Sequence, residues 1–435
     1  MPLTPAQDDT TCTTLANGVR VLTIALPQLQ TASVSVFVRS GSAHESAKLN
    51  GIGHVLEHMV FKGTATRDAR QLNLDAERLG AEVNAHTDKD HTAFHMRGLR
   101  AHAPLFVRLL GDMVRNASFP EAEFEREREV LLHEFTEDED DPMSTAFKQF
   151  DKACFGAHPL AQPVIGSRRN IERFTRADLV GHLQRLYTGA NIVVAAAGDI
   201  AHDAIVREAE ACFGSLARGS ENLLSAPPWL GGLRAKSQAG SSQTHLVLGF
   251  PVPPLQADDP TAAVAAALLG EGMSSPLMDQ LREQRGLVYY AACSADLVDS
   301  AGQFVIEAST APGQLDECLQ ALADLLRAQA SRIAPIDLER AQNQILVRRL
   351  RGLEKPGRRL EESALDLLVL GRLRSRADWL ARVQAVSADQ VRDALASMQT
   401  AGAALALTGR VARGVGERAS AILTHSGLLA PAAPV

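Results

Sequence analysis

Two hydrophobic periods alternate along the chain. Period-two segments occur at Ser33-Val-Ser-Val-Phe-Val-Arg39 and His91-Thr-Ala-Phe-His-Met-Arg97, and again at Thr244-His-Leu-Val-Leu-Gly-Phe250 and Gln303-Phe-Val-Ile-Glu-Ala308. These read as half-buried strands, and the long stretches between them as helices. Hairpin-like strands followed by helix pairs predict an α+β fold, a sheet with helices on one side. The pattern is also duplicated. Ala177-Asp178-Leu-Val180 opens a helix that leads into Asn191-Ile-Val-Val-Ala-Ala-Ala197 and Gly198, and Ala388-Asp389-Gln-Val391 does the same before Ala403-Ala-Leu-Ala-Leu407 and Gly409, at an offset of 211 residues in both cases. Equal internal spacing predicts two tandem repeats. We place the first at 1–215, a Gly/Ser/Pro/Leu-rich linker at 216–242, the second at 243–425, and a frayed tail at 426–435.

Composition narrows the function classes. With 435 residues the chain can bury two or three sizeable cores, and 46% hydrophobic with 22% charged residues is ordinary for a soluble protein. A net charge of −7 argues against a general nucleic-acid binder and suits neutral or basic peptides. Cys12, Cys154, Cys212, Cys293 and Cys318 are scattered, odd in number and lack CxxC spacing, which fits a reducing compartment. The first ten residues show neither a basic nor an apolar signal region, and no apolar run reaches membrane-span length, so the expectation is a cytoplasmic protein.

The chemistry lies in Gly53-His54-Val-Leu-Glu57-His58-Met-Val-Phe-Lys-Gly63-Thr64. Histidines four apart share one face of a helix, with Glu57 beside the second. Two imidazoles suit a zinc ion, and a nearby carboxylate suits a water that needs a base. A second acidic helix, Glu121 to Glu134, places Glu134 76 positions after His58.

This constellation resembles the inverted-zincin metallopeptidases of the pitrilysin, insulin-degrading enzyme and mitochondrial processing peptidase family, in a half-length bacterial form. The flanks Gly51-Ile-Gly53 and Phe61-Lys-Gly-Thr64 follow the same pattern. The resemblance implies His54, His58 and Glu134 as ligands of one Zn²⁺ per chain and Glu57 as the general base. Glu127 matches a further family glutamate. It lies two helical turns before Glu134, about 10 Å away, too far to share the metal. It reads as a neighbour of the ligands or of the substrate. The resemblance also implies a processing-peptidase-like roll, an antiparallel six-stranded sheet in each repeat.

The second repeat carries only His245 and His425 and has lost the metal residues. It retains Leu281-Arg282-Glu-Gln-Arg-Gly286-Leu-Val-Tyr289-Tyr290. In the family an arginine and a tyrosine at this spacing reach over to the zinc site, which implies Arg282 and Tyr289 as donors to the oxyanion, with Arg285 and Tyr290 as near alternatives. The implied activity is endopeptidase action on short or unfolded peptides in a homodimer, or a heterodimer with a related subunit. A dedicated maturation peptidase and a non-catalytic scaffold subunit of the same fold are the competing functions.

Weaker signals remain. Gly80-Ala-Glu-Val-Asn84-Ala85-His86-Thr87 resembles the family's edge strand, where Asn84 and Ala85 would touch the substrate backbone; the competing reading is a structural hairpin. His86, His91 and His95 suggest a second metal cluster, but His86 is out of parity with the other two, so none is expected. The run Glu137-Asp-Glu-Asp-Asp141 reads as a solvated helix end more readily than as a substrate attractor.

Overall fold

A computed structural model describes residues 9–429; the first eight residues and the end of the expected tail lie outside that range. Two sheets are present. The first contains β1 (Thr10–Thr14), β2 (Arg20–Ala25), β3 (Thr31–Val38), β4 (Glu82–Thr87), β5 (Thr92–Leu99) and β6 (Ile192–Gly198) in the order β1-β2-β6-β3-β5-β4. The second contains β7 (Gly232–Ser237), β8 (Thr244–Val252), β9 (Val288–Leu297), β10 (Gly302–Thr310) and β11 (Ala404–Gly409) in the order β7-β11-β8-β10-β9. Dropping β1 makes the two orders equivalent, the structural form of the repeat.

The sheets depart from the antiparallel six-stranded expectation. The pairs β2/β6 and β7/β11 are parallel, and the second sheet has five strands. A strand that returns after a whole repeat has no tight turn to set it antiparallel, so either direction is open to it.

Each sheet is covered on both faces, which corrects the expectation of helices on one side. In the first, Val34, Val36, Phe94 and Met96 face one core. Leu22, Ile24, Phe37 and Val193 face another, closed by Leu360, Ala364 and Leu367 around the Pro356–Leu365 helix. In the second, Leu246, Leu248 and Phe250 share a core with the Thr261–Gly270 and Leu315–Ser331 helices. On the opposite face a Cβ at Gly249 would come within 2.5 Å of the Phe150 ring, on the Pro142–Phe155 helix. Each back-face helix is thus encoded in the other half of the sequence. The compact units therefore interleave: one comprises residues up to 135 with 162–224 and 351–377, the other 136–161, 225–350 and 378 onward. These units cross the boundaries expected at 215 and 243. Burial on both faces also explains why β6 reads Ile-Val-Val-Ala-Ala-Ala without alternation.

Two smaller expectations shift. The duplicated Ala-Asp-x-Val lies one position differently relative to its helix cap. Asp178 is the N3 residue below cap Thr175, whereas Gln390 takes that place below cap Ser387. Leu179 and Val391, 212 residues apart, are the matching buried positions. The tail is not frayed at its start, because Leu428 and Leu429 are buried in the second core and the Ala403 N–H donates to the Leu428 carbonyl at 2.7 Å.

Candidate metal centre

The Ile52–Met59 helix buries Ile52, Val55, Leu56 and Met59. That stripe turns His54, Glu57 and His58 to the other side, where all three are half-buried. The helix starts at Gly51, whose φ of +96° favours glycine; a Cβ there would also strike the Gly166 backbone at 2.8 Å. Glu45 anchors the N-terminus. Its two oxygens accept from Gly51 N at 2.7 Å, Gly53 N at 2.8 Å and Asn50 Nδ2 at 3.1 Å. A carboxylate at a helix N-terminus satisfies otherwise orphaned amides and complements the helix dipole.

On the Glu121–Asp140 helix, Phe124, Glu127 and Leu131 are buried, and the same 3-4-3 stripe continues to Glu134. Glu134 Oε2 lies 3.8 Å from His54 Nε2 and 3.5 Å from His58 Nε2. Donor atoms around one tetrahedral zinc sit about 3.3–3.4 Å apart. The two separations to Glu134 come within about half an ångström of that value, so two imidazoles and a carboxylate could hold zinc here. Glu127 points elsewhere. Its Oε1 is 2.9 Å from His58 Nδ1 and its Oε2 is 2.5 Å from Lys62 Nζ. It fixes the orientation of the His58 ring, a positioning role that metal-binding histidines regularly need.

The electrostatics suit a cation. Burial weighs against charge on His58, but its hydrogen bond with Glu127 and the carboxylates of Glu134 and Glu57 outweigh this and raise its pKa. Burial also acts on Glu127, yet His58 and Lys62 hold its carboxyl below the usual range. Glu57 lies one residue from His58, and burial raises its pKa above the ordinary carboxylate value. Its Oε2 accepts from Thr87 Oγ1 at 2.6 Å, which ties the helix to the end of β4.

Asn84 and Ala85 lie on β4, the outer strand of the first sheet, which pairs only with β5. The Ala85 N–H donates to Asn84 Oδ1 at 2.9 Å. Arg282 and Tyr289 belong to the other compact unit and do meet there: the guanidinium carbon lies 5.2 Å from the ring centroid, and Tyr289 is 80% exposed. Tyr290 is committed differently, donating to Glu307 at 3.1 Å. The acidic run is structural. Asp138 and Glu139 pair with Lys148, Glu139 also with Lys236, and Asp141 caps the Pro142–Phe155 helix.

His86, His91 and His95 overturn the parity argument. Register pairs His86 with Ala93, so His86 shares a face with both His91 and His95. Its Nε2 lies 3.3 Å from His91 Nε2, and its Nδ1 lies 3.1 Å from His95 Nε2. Parity holds along one strand, whereas across strands the register decides.

No sequence motif marks Glu45 or Thr87 as a partner of the site. The available signal for Glu45 was a carboxylate shortly before Asn50-Gly51-Ile52-Gly53, a glycine-rich helix start. Glu45→Ala strands three buried donors at about 1–3 kcal/mol each, partly offset by relief of the buried carboxylate, so a net loss of about 2–3 kcal/mol is expected at pH 6. Burial pushes the Glu45 carboxyl up to about 7 from 4.5. An acid raised on folding contributes most below its unfolded pKa and loses that contribution as pH rises through the folded value. The difference between wild type and variant should therefore shrink from pH 4.5 to above 7 in denaturant melts. A gap that widens with pH would contradict this assignment.

Two imidazoles and a carboxylate that could hold a metal ion, on an α+β repeat, are the groups a metallopeptidase needs. The insulinase family, peptidase family M16, matches residues 20–168, and the M16 inactive domain matches residues 173–345. An uncharacterized zinc protease of Mycobacterium tuberculosis is 34% identical over 87% of this chain and 88% of its own length. One from Bacillus subtilis is 29% identical over 91% and 97%. A solved protease from Helicobacter pylori shares the fold, with a TM-score of 0.82 at 23% identity over 92% of this chain and 99% of that one. So does a Pseudomonas fluorescens M16 inactive domain, with a TM-score of 0.85 at 20% identity over 93% and 99%. The chain belongs to peptidase family M16 and is a zinc metalloprotease. No helix among the described residues is long and apolar enough to cross a membrane.

Proposed function

We propose that this chain is an endopeptidase for short or unfolded peptides, with its active centre at His54, His58, Glu134 and Glu57. The observation that carries this reading is the convergence of His54 Nε2, His58 Nε2 and Glu134 Oε2 beside a carboxylate that is not one of them. His54, His58 and Glu134 would hold zinc, which supplies polarisation of the scissile carbonyl and acidification of water. Glu57 takes the proton of the attacking water and hands it to the leaving amine nitrogen. Glu127, held by Lys62, keeps the His58 ring in line. Arg282 and Tyr289 donate hydrogen bonds to the tetrahedral oxyanion. The substrate adds as an extended strand along the free side of β4, near Asn84 and Ala85, so its backbone rather than its sequence is read.

A folded domain cannot offer a free strand, and this yields a direct test. The chain should cleave reduced, unfolded fragments of a protein far faster than the folded protein itself. Equal rates on both would defeat the strand-addition reading.

The proposal extends to assembly. The metal residues fall in one compact unit and Arg282 with Tyr289 in the other. We place the Arg282/Tyr289 pair of one copy at the metal centre of a second, in a C2 homodimer. Mixing Glu57→Gln chains with Tyr289→Phe chains would then restore one site in each mixed dimer. Random exchange should return roughly a quarter of wild-type activity. No recovery, with exchange confirmed by mass, would put the whole site in a single chain.

A further inference from the structure

The imidazoles of His86, His91 and His95 line the face of the first sheet opposite to the Ile52–Met59 helix. Their neighbours Phe37 and Ala93 belong to the core closed by the Pro356–Leu365 helix. His91 is buried, His86 is half-buried and Asp88 is exposed, so the cluster opens to solvent at the turn between β4 and β5. His86 Nε2 and His91 Nε2 are 3.3 Å apart. Two imidazole nitrogens on one tetrahedral ion at about 2.0–2.1 Å stand ~3.3–3.4 Å apart, so this separation is the edge of such a site. A carboxylate oxygen of Asp88 lies within 4.8 Å of a ring nitrogen of each histidine.

The surroundings arrange the remaining ring nitrogens. His91 Nδ1 is 2.8 Å from Asp90 Oδ1, His86 Nδ1 is 3.1 Å from His95 Nε2, and His95 Nδ1 is 2.7 Å from Ser35 Oγ. If both Nε2 lone pairs go to a cation, each Nδ1–H has an acceptor: His91 donates to Asp90, His86 to His95 and His95 to Ser35. Every nitrogen in the cluster then has one role, with the carboxylate–histidine pairing that orients metal ligands elsewhere. Glu361, on the covering helix, adds negative charge felt by both His86 and His91.

We propose that His86, Asp88 and His91 form a second metal site, separate from the catalytic one, for a zinc-type divalent ion. Two imidazoles with one carboxylate favour Zn²⁺, Co²⁺ or Ni²⁺ over Mg²⁺ or Ca²⁺. The ion clamps a turn already tied down by its backbone. Asp88 N donates to the His91 carbonyl at 2.8 Å, and Ser42 N and Ala43 N donate to the carbonyls of Asp88 and Lys89 at 3.0 and 2.8 Å. Thr87, between two of the ligands, is the residue that donates to Glu57, so the clamp steadies a partner of the catalytic base.

The alternative is a metal-free relay in which His86 carries its proton on Nε2 and donates to His91. Counting Co²⁺ on chelator-stripped full-length protein separates the two, with the visible absorption of the bound ion as a second readout. Wild type should take up two equivalents, His86→Ala one, and His54→Ala/His58→Ala one. The double variant keeps the second site testable with the catalytic centre removed, and Asp88→Asn, at an exposed position, should likewise take up one equivalent. A wild type that binds a single equivalent, or a second equivalent unaffected by His86→Ala, would overturn the proposal.

Discussion

Glu57→Gln is expected to lower turnover of an unfolded peptide by roughly 10²–10⁴-fold with metal content unchanged. Glu57 stands on the ligand-bearing helix between His54 and His58, yet it is not among the three groups whose donor atoms converge. Its Oε2 is engaged by Thr87 Oγ1 at 2.6 Å, which aims the carboxylate without consuming both oxygens. Burial raises its pKa, making it a better proton acceptor than a surface glutamate. Glutamine has the same shape and can still accept from Thr87, but it cannot take a proton. Elemental analysis beside steady-state kinetics reads both halves of the prediction. Near-normal turnover by the variant would remove Glu57 from the role of base.

His58→Ala should have the larger effect, on the order of 10⁴-fold or more in activity, with one metal equivalent fewer than wild type. His58 faces Glu134 through Nε2 at 3.5 Å and Glu127 through Nδ1 at 2.9 Å. Its loss takes one of the three converging donors and leaves the buried Glu127 carboxylate held by Lys62. Wild type inactivated by a chelator should recover on adding zinc, and the variant should not. Full recovery by His58→Ala would exclude His58 as a ligand.

How much of this was legible depended on whether the information was local. The apolar stripe Ile52, Val55, Leu56 and Met59 fixes the face presented by His54 and His58, and the eight residues of one short helix suffice to read it. Glu134 is 76 residues beyond His58, and only the family resemblance connected them. Glu45 was missed because it reaches Gly51 and Gly53 around a turn, outside the spacing of a local helix cap. His86 was misjudged because numbering parity does not survive a change of strand; the pairing of His86 with Ala93 decides its face. Strands β3, β5, β8 and β10 followed from alternation, whereas β1, β2, β7 and β9 carry no period clear enough to mark them. The Pro142–Phe155 and Pro356–Leu365 helices were a different case. An amphipathic helix shows that it needs a partner surface but not which sheet provides it, so the exchange between halves left no mark in the sequence.

Peptide cleavage is expected to run through the His54, His58, Glu134 and Glu57 constellation. Digestion of an unbiased peptide mixture, read by mass spectrometry, tests it most directly. Zinc-loaded wild type should generate new termini; chelation should abolish them and added zinc restore them, while zinc-loaded Glu57→Gln should give almost none. Undiminished cleavage by the chelated enzyme, or by Glu57→Gln, would contradict the account.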